Sequence, residues 1–112
     1  MHIFTECPSV KLFWGKIQNH VKEYINFSLN LSNVDIISGY LLFHQNRIPI
    51  NALILVTKKN IFDCTRYNTG LYLDRLIPKL KQYYAEEKLL AILRDKYSEF
   101  NKIWERWKPL FE

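Results

Sequence analysis

PSVKLFWGKIQNHVKEYINF, residues 8–27, decides the fold class. Val10, Phe13, Trp14, Ile17, Val21, Tyr24 and Ile25 recur at steps of three and four, so on a helix they form one apolar stripe. Lys11, Lys16, Gln18, Lys22 and Glu23 fall on the opposite face. Pro8 stands where a helix tolerates proline best, at its first position, because the missing N–H has no partner there in any case. The spacing predicts a helix over 8–27 that spends about 1 kcal/mol on the interior Gly15.

The same period continues downstream. The polar stretch 28–33 reads as a loop, 34–43 as a short helix in preference to a strand, and 44–49 as a second loop closed by Pro49. Residues 50–67 predict another helix, with Leu53, Ile54, Thr57, Ile61 and Cys64 on its inner face. Asn68-Thr69-Gly70 breaks that pattern. If Asp74 caps the next helix, Pro78 falls in its first turn, where no intrahelical donor is lost. That helix would bury Leu76, Leu80 and Tyr83. Leu90, Leu93, Tyr97, Phe100, Trp104, Trp107 and Phe111 then alternate steps of three and four, and 79–101 contains neither Gly nor Pro. One long helix or two in tandem, ending before Pro109, is expected. The sum is an all-α chain of four to five helices forming a single small domain over 1–112.

Composition narrows the function. With 112 residues there is room for one domain, and 48% hydrophobic residues exclude a disordered tail. Apolar runs such as 52–56 fall far short of the ~20 residues that span a bilayer, and no secretory h-region follows Met1. Cys7 and Cys64 are too few for a disulfide scaffold. An intracellular setting, nucleus or cytoplasm, is expected, with no membrane and no small-molecule substrate. The net charge of +5 is uneven: residues 57–112 hold twelve Lys/Arg against eight Asp/Glu and so carry +4 of it. A basic bias of this kind suits RNA or DNA, although solvated helix faces often look the same.

The candidate nucleic-acid contacts are Lys58 and Lys59, Lys79 and Lys81, with Arg66 and Arg75 between them. If the two helices that carry them pack as neighbours, the lysines could share one surface. The C-terminal aromatics Tyr97, Phe100, Trp104 and Trp107 could stack on bases beside Lys96, Lys102, Arg106 and Lys108, but helical spacing favours a core stripe. Asp35, Asp63, Asp74 and Asp95 are isolated in sequence, and Glu86-Glu87 sits beside Lys88 in a helical pattern. Two-metal chemistry needs converging carboxylates, so no enzyme is expected. His2 and Cys7, with four residues between them, have the H-x4-C spacing of the second half of a zinc knuckle. The remaining soft ligands, His20, His44 and Cys64, lack the spacing to complete it.

The residues around this half-site carry a resemblance. His2-Ile3-Phe4, Cys7-Pro8, Val10 and Phe13-Trp14 resemble the C-terminal zinc-binding segment of reverse transcriptases from non-LTR (LINE-type) retrotransposons, where a Cys pair is followed by H-[IL]-F-x-x-C-P-x-[VI]-x-x-F-W. Residues 53–64 resemble the helix that family carries next. Tyr83-Tyr84-x-x-Glu87-Lys88 and Lys96-Tyr97-x-x-Phe100-Asn101-x-x-Trp104 resemble its terminal stretch. The resemblance implies that His2 and Cys7 complete a zinc site begun by two upstream cysteines. This chain holds no cofactor by itself, and zinc is expected only if such cysteines exist. It also implies a non-catalytic tail region, without the paired aspartates of the polymerase palm, that grips RNA or DNA. The alternative is a small helical module that binds a protein partner, or a folded relic with no retained activity.

Overall fold

The structure is a computed structural model, and it describes residues 7–38, 47–67 and 69–112. Every regular element among these residues is helical: α1 (Pro8–Ile25), α2 (Asn33–Ser38), α3 (Arg47–Arg66), α4 (Leu73–Leu93) and α5 (Tyr97–Trp104). A 3₁₀ step, Glu105–Trp107, then leads directly into α6 (Lys108–Phe111). The last three segments are contiguous, so the chain makes five helical stretches among the described residues, and the fold is all-α.

Helix α1 starts at Pro8 as the sequence predicts and buries Val10, Phe13, Trp14, Ile17 and Val21. It stops at Ile25, two residues early, because Asn26 adopts a left-handed conformation (φ 54°) and returns its N–H to the Lys22 carbonyl. Tyr24 therefore leaves the buried stripe and is exposed. The loop that follows is anchored by Leu29, which is buried, and by the Leu31 N–H donating to Gln18 Oε1 at 3.0 Å. Phe27 lies against the Trp107 indole at 5.2 Å, and the Arg106 guanidinium stands 4.9 Å from its ring centre.

Helix α2 opens on a reciprocal cap. The Asp35 N–H donates to Ser32 Oγ at 3.1 Å, and the Ser32 N–H donates to Asp35 Oδ2 at 3.0 Å. The short helix expected over 34–43 is thus seen as Asn33–Ser38, and its remainder, with 44–46, lies outside the described residues. Pro49 does not close a loop. It is the third residue of α3, where its absent N–H would have had no intrahelical acceptor. The inner face of α3 is the expected one, with Leu53, Ile54, Thr57, Ile61 and Cys64 all buried.

Helix α4 departs most from the sequence reading. Its cap is Tyr72, not Asp74, and the Arg75 and Leu76 N–H groups both point to the Tyr72 carbonyl. The start is set by Leu71 and Leu73, which pack against the core, and not by the carboxylate. Pro78 consequently lies inside the helix, and the Asp74 carbonyl loses its intrahelical donor. The buried face is Leu76, Leu80, Tyr84 and Ala91, so Tyr84 and not Tyr83 turns inward.

Of the two options for 79–101, the tandem pair is found. Asp95 takes a left-handed φ of 56°, Lys96 N–H donates to the Ala91 carbonyl at 2.7 Å and Asp95 N–H to the Ile92 carbonyl at 3.2 Å. This pair of bonds is the Schellman ending, here built on Asp where Gly is usual. It splits the regular aromatic and aliphatic series. Leu90, Leu93 and Tyr97 are exposed, whereas Phe100, Trp104, Trp107 and Phe111 are buried. Pro109 does not end the helical run either; it is the second residue of α6.

Helix α4 is the hub, in contact with α1, α3, α5 and α6. Phe13 and Trp14 join Trp104, Trp107 and Phe111 in one buried cluster. The bulk of the C-terminal aromatics thus serve as core.

Candidate nucleic-acid interface

The antiparallel pairing of α3 and α4 places the sequence-predicted cations, but not in one patch. Lys59 and Lys79 line the same groove between the two helices, of about 490 Å³, together with Leu55, Val56 and Tyr83. Asp63, Gln82 and Glu86 line it as well, so two carboxylates face the two ammonium groups. Lys58 turns the other way and donates to the Ile37 carbonyl of α2 at 3.3 Å. Lys81 is exposed and stands about 200° around α4 from Lys79 by helical geometry.

Lys79 is held in place. Its Nζ donates to Asn60 Oδ1 at 2.8 Å and lies 3.9 Å from Asp63 Oδ2. Asn60 is 1% exposed, and its Nδ2 has no hydrogen-bond partner; neither has Thr57 Oγ1 one turn earlier. A buried donor left unpaired costs about 1–3 kcal/mol, so Asn60 is held here at the expense of stability.

The two arginines mark a more distinctive arrangement. Arg66 Cζ sits 5.4 Å from the centre of the Tyr67 ring, and Arg75 Cζ sits 5.4 Å from the centre of the Tyr72 ring. Both tyrosines are exposed, Tyr67 to 67% and Tyr72 to 57%. They flank the connection between α3 and α4. The Tyr72 ring lies over Gly70, where a Cβ would meet it at 2.7 Å, so the absent side chain makes room for the ring. Tyr67, Thr69, Asp74, Arg75 and Lys79 line a shallow cleft at this corner, with Asn60 and Asp63 at its base.

The sequence reading names Arg66 and Arg75 as candidates but not Tyr67 and Tyr72, the rings they lie over. The signal was there: these rings flank a turn instead of recurring at helical spacing, and nothing in the pattern gave them a core to enter.

His2, half of the metal pair, lies outside the described residues. Cys7 is exposed at the start of α1. The Ser9 hydroxyl, 3.1 Å from its Sγ, and the backbone N–H groups of Val10 and Ser9 hold its thiol below the usual range. That is the environment a thiolate ligand needs. Cys64 is buried but lines the same cleft, of about 550 Å³, as Cys7. Among the described residues no group of three or more His, Cys, Asp or Glu is placed to hold a metal ion. No helix there is long and apolar enough to cross a membrane.

The arrangement places arginines beside two exposed tyrosines where α3 meets α4. No protein-family model, no curated protein and no solved structure matches this chain.

Proposed function

We propose that this chain is a non-catalytic helical module that contacts nucleic acid, the tail region of a retrotransposon reverse-transcriptase-like protein. The family part of the reading rests on the residue pattern around His2, Cys7 and Phe13-Trp14. The binding part rests on one observation, the two exposed tyrosines each covered by a guanidinium where α3 meets α4. Arg66, Arg75 and Lys79 supply the positive charge there, and Lys59 extends it along the groove. Lys58 and Lys81 contribute only to the long-range field. Contacts of this kind position a backbone without reading its sequence, so different sequences bind alike.

The test is a titration of labelled single-stranded RNA and of duplex DNA at several salt concentrations, beside a variant with Lys58, Lys59, Lys79 and Lys81 all changed to Gln. Wild-type binding at low salt that weakens as salt rises, and weakens further in the variant, supports the reading. No binding to either probe at low salt removes it. A protein-interaction module is the second reading, favoured by Leu89, Ile92 and Leu93, which stand exposed together near the end of α4.

A further inference from the structure

We infer that the α3–α4 corner is a stacking site for single-stranded nucleic acid, with bases on Tyr67 and Tyr72 and phosphates on Arg75 and Lys79. This rests on the nucleic-acid reading above and goes further by naming the strand state and the dominant force. The local charge decides between the alternatives. The cleft holds Arg75 and Lys79 against Asp63 and Asp74, and Arg66 over Tyr67 leaves the corner a surplus of one positive charge. Duplex binding draws mainly on phosphate neutralisation, with an affinity that falls by nearly one power of salt for each phosphate neutralised. One surplus charge supplies little of that.

Stacking is another matter. An aromatic ring offered to an unpaired base contributes substantially whatever the base, and a guanidinium beside the ring adds a cation–π component. Duplex bases are already stacked and cannot reach such rings, whereas single strands can. Tyr67 and Tyr72 expose more than half their surface, and each has an arginine over its ring. Asn60, which also lines the cleft, accepts from Lys79 through its Oδ1 and so fixes where that ammonium group stands.

The experiment compares a labelled oligouridylate with a duplex DNA of equal length, using wild type, Tyr67→Ala/Tyr72→Ala and Tyr67→Phe/Tyr72→Phe. Both tyrosines are exposed, so the variants fold, and circular dichroism checks this. The expected result is preference for the single strand, a shallow salt slope of about −1 to −2, and a loss on the order of ten-fold or more for each ring removed. The phenylalanine variant keeps its rings and keeps the affinity. If wild type binds both probes equally and the alanine variant binds like wild type, the stacking site is wrong while the general nucleic-acid reading stands. If wild type binds neither probe, both fall.

Discussion

Trp14 and Gly15 are adjacent on α1 and answer opposite questions. Trp14 is 5% exposed and belongs to the central cluster, so Trp14→Ala should cost about 3–5 kcal/mol in chemical denaturation. A change below about 1 kcal/mol would mean that the first helix does not dock as it does here. Gly15 has open space where its Cβ would be, with nothing within 4 Å. Its cost is therefore only the helix-propensity penalty, and Gly15→Ala should raise stability by about 1 kcal/mol. A destabilisation would require a neighbour that the side chain meets. The same distinction between what a residue is and what surrounds it holds at Cys7 and Cys64. Cys7, exposed and with its thiol held below the usual range, should alkylate well before the buried Cys64, and mass spectrometry of partly labelled protein reads the order directly.

At the scale of elements, α4 carries the main conflict between local rule and tertiary demand. Pro78 lies in the body of the helix, which starts early enough for Leu71 and Leu73 to reach the core. Pro78→Ala restores the donor to the Asp74 carbonyl and relieves the ring's clash there, so thermal unfolding should show a gain of about 1–3 kcal/mol. No gain would mean that the helix bends at this point for a reason that packing supplies. The helices themselves were legible because apolar spacing of three and four is a direct imprint of burial: on α1 all the predicted residues but Tyr24 and Ile25 are buried, and on α3 all the predicted ones are, joined by Pro49, Ile50, Ala52 and Asn60. The ends were less legible. Asn26 and Asp95 halt their helices by adopting left-handed angles, which their side chains only weakly announce. The even stepping from Leu90 to Phe111 carried across a turn that reverses its meaning, since Leu93 is 73% exposed and Trp104 only 2%. The candidate site was half legible. The arginines stand out as charges, but whether lysines on two helices converge depends on packing angles that no spacing encodes.

Taken whole, the molecule keeps its proposed binding corner and its stabilising centre at different places along α4. The corner occupies the first residues of the helix, while Tyr84, eleven residues beyond Leu73 and so about 16 Å along the axis, holds the other half together. Its ring meets Phe100 at 5.3 Å, Trp104 at 5.4 Å and Phe111 at 6.2 Å, and its hydroxyl donates to Glu112 Oε2 at 2.9 Å. Burial, reinforced by the hydrogen bond and charge of Glu112, pushes the Tyr84 phenol well above its ordinary value. Burial and Glu87 push Tyr83 the same way. A phenol whose folded pKa is raised contributes stability that is whole below the unfolded value of about 10 and drains away as pH rises from there toward the folded value. The protein should therefore lose stability steeply above about pH 10. Tyr84→Phe removes the group that resists ionisation. It should cost about 1 kcal/mol at neutral pH for the lost hydrogen bond, yet decline less steeply in alkali, leaving the Tyr83 share. Denaturant midpoints from pH 8 to 11.5 for the two proteins check this. Parallel curves would show that Tyr84 does not hold its proton against the folded surroundings, and the aromatic centre would then owe its stability to packing alone.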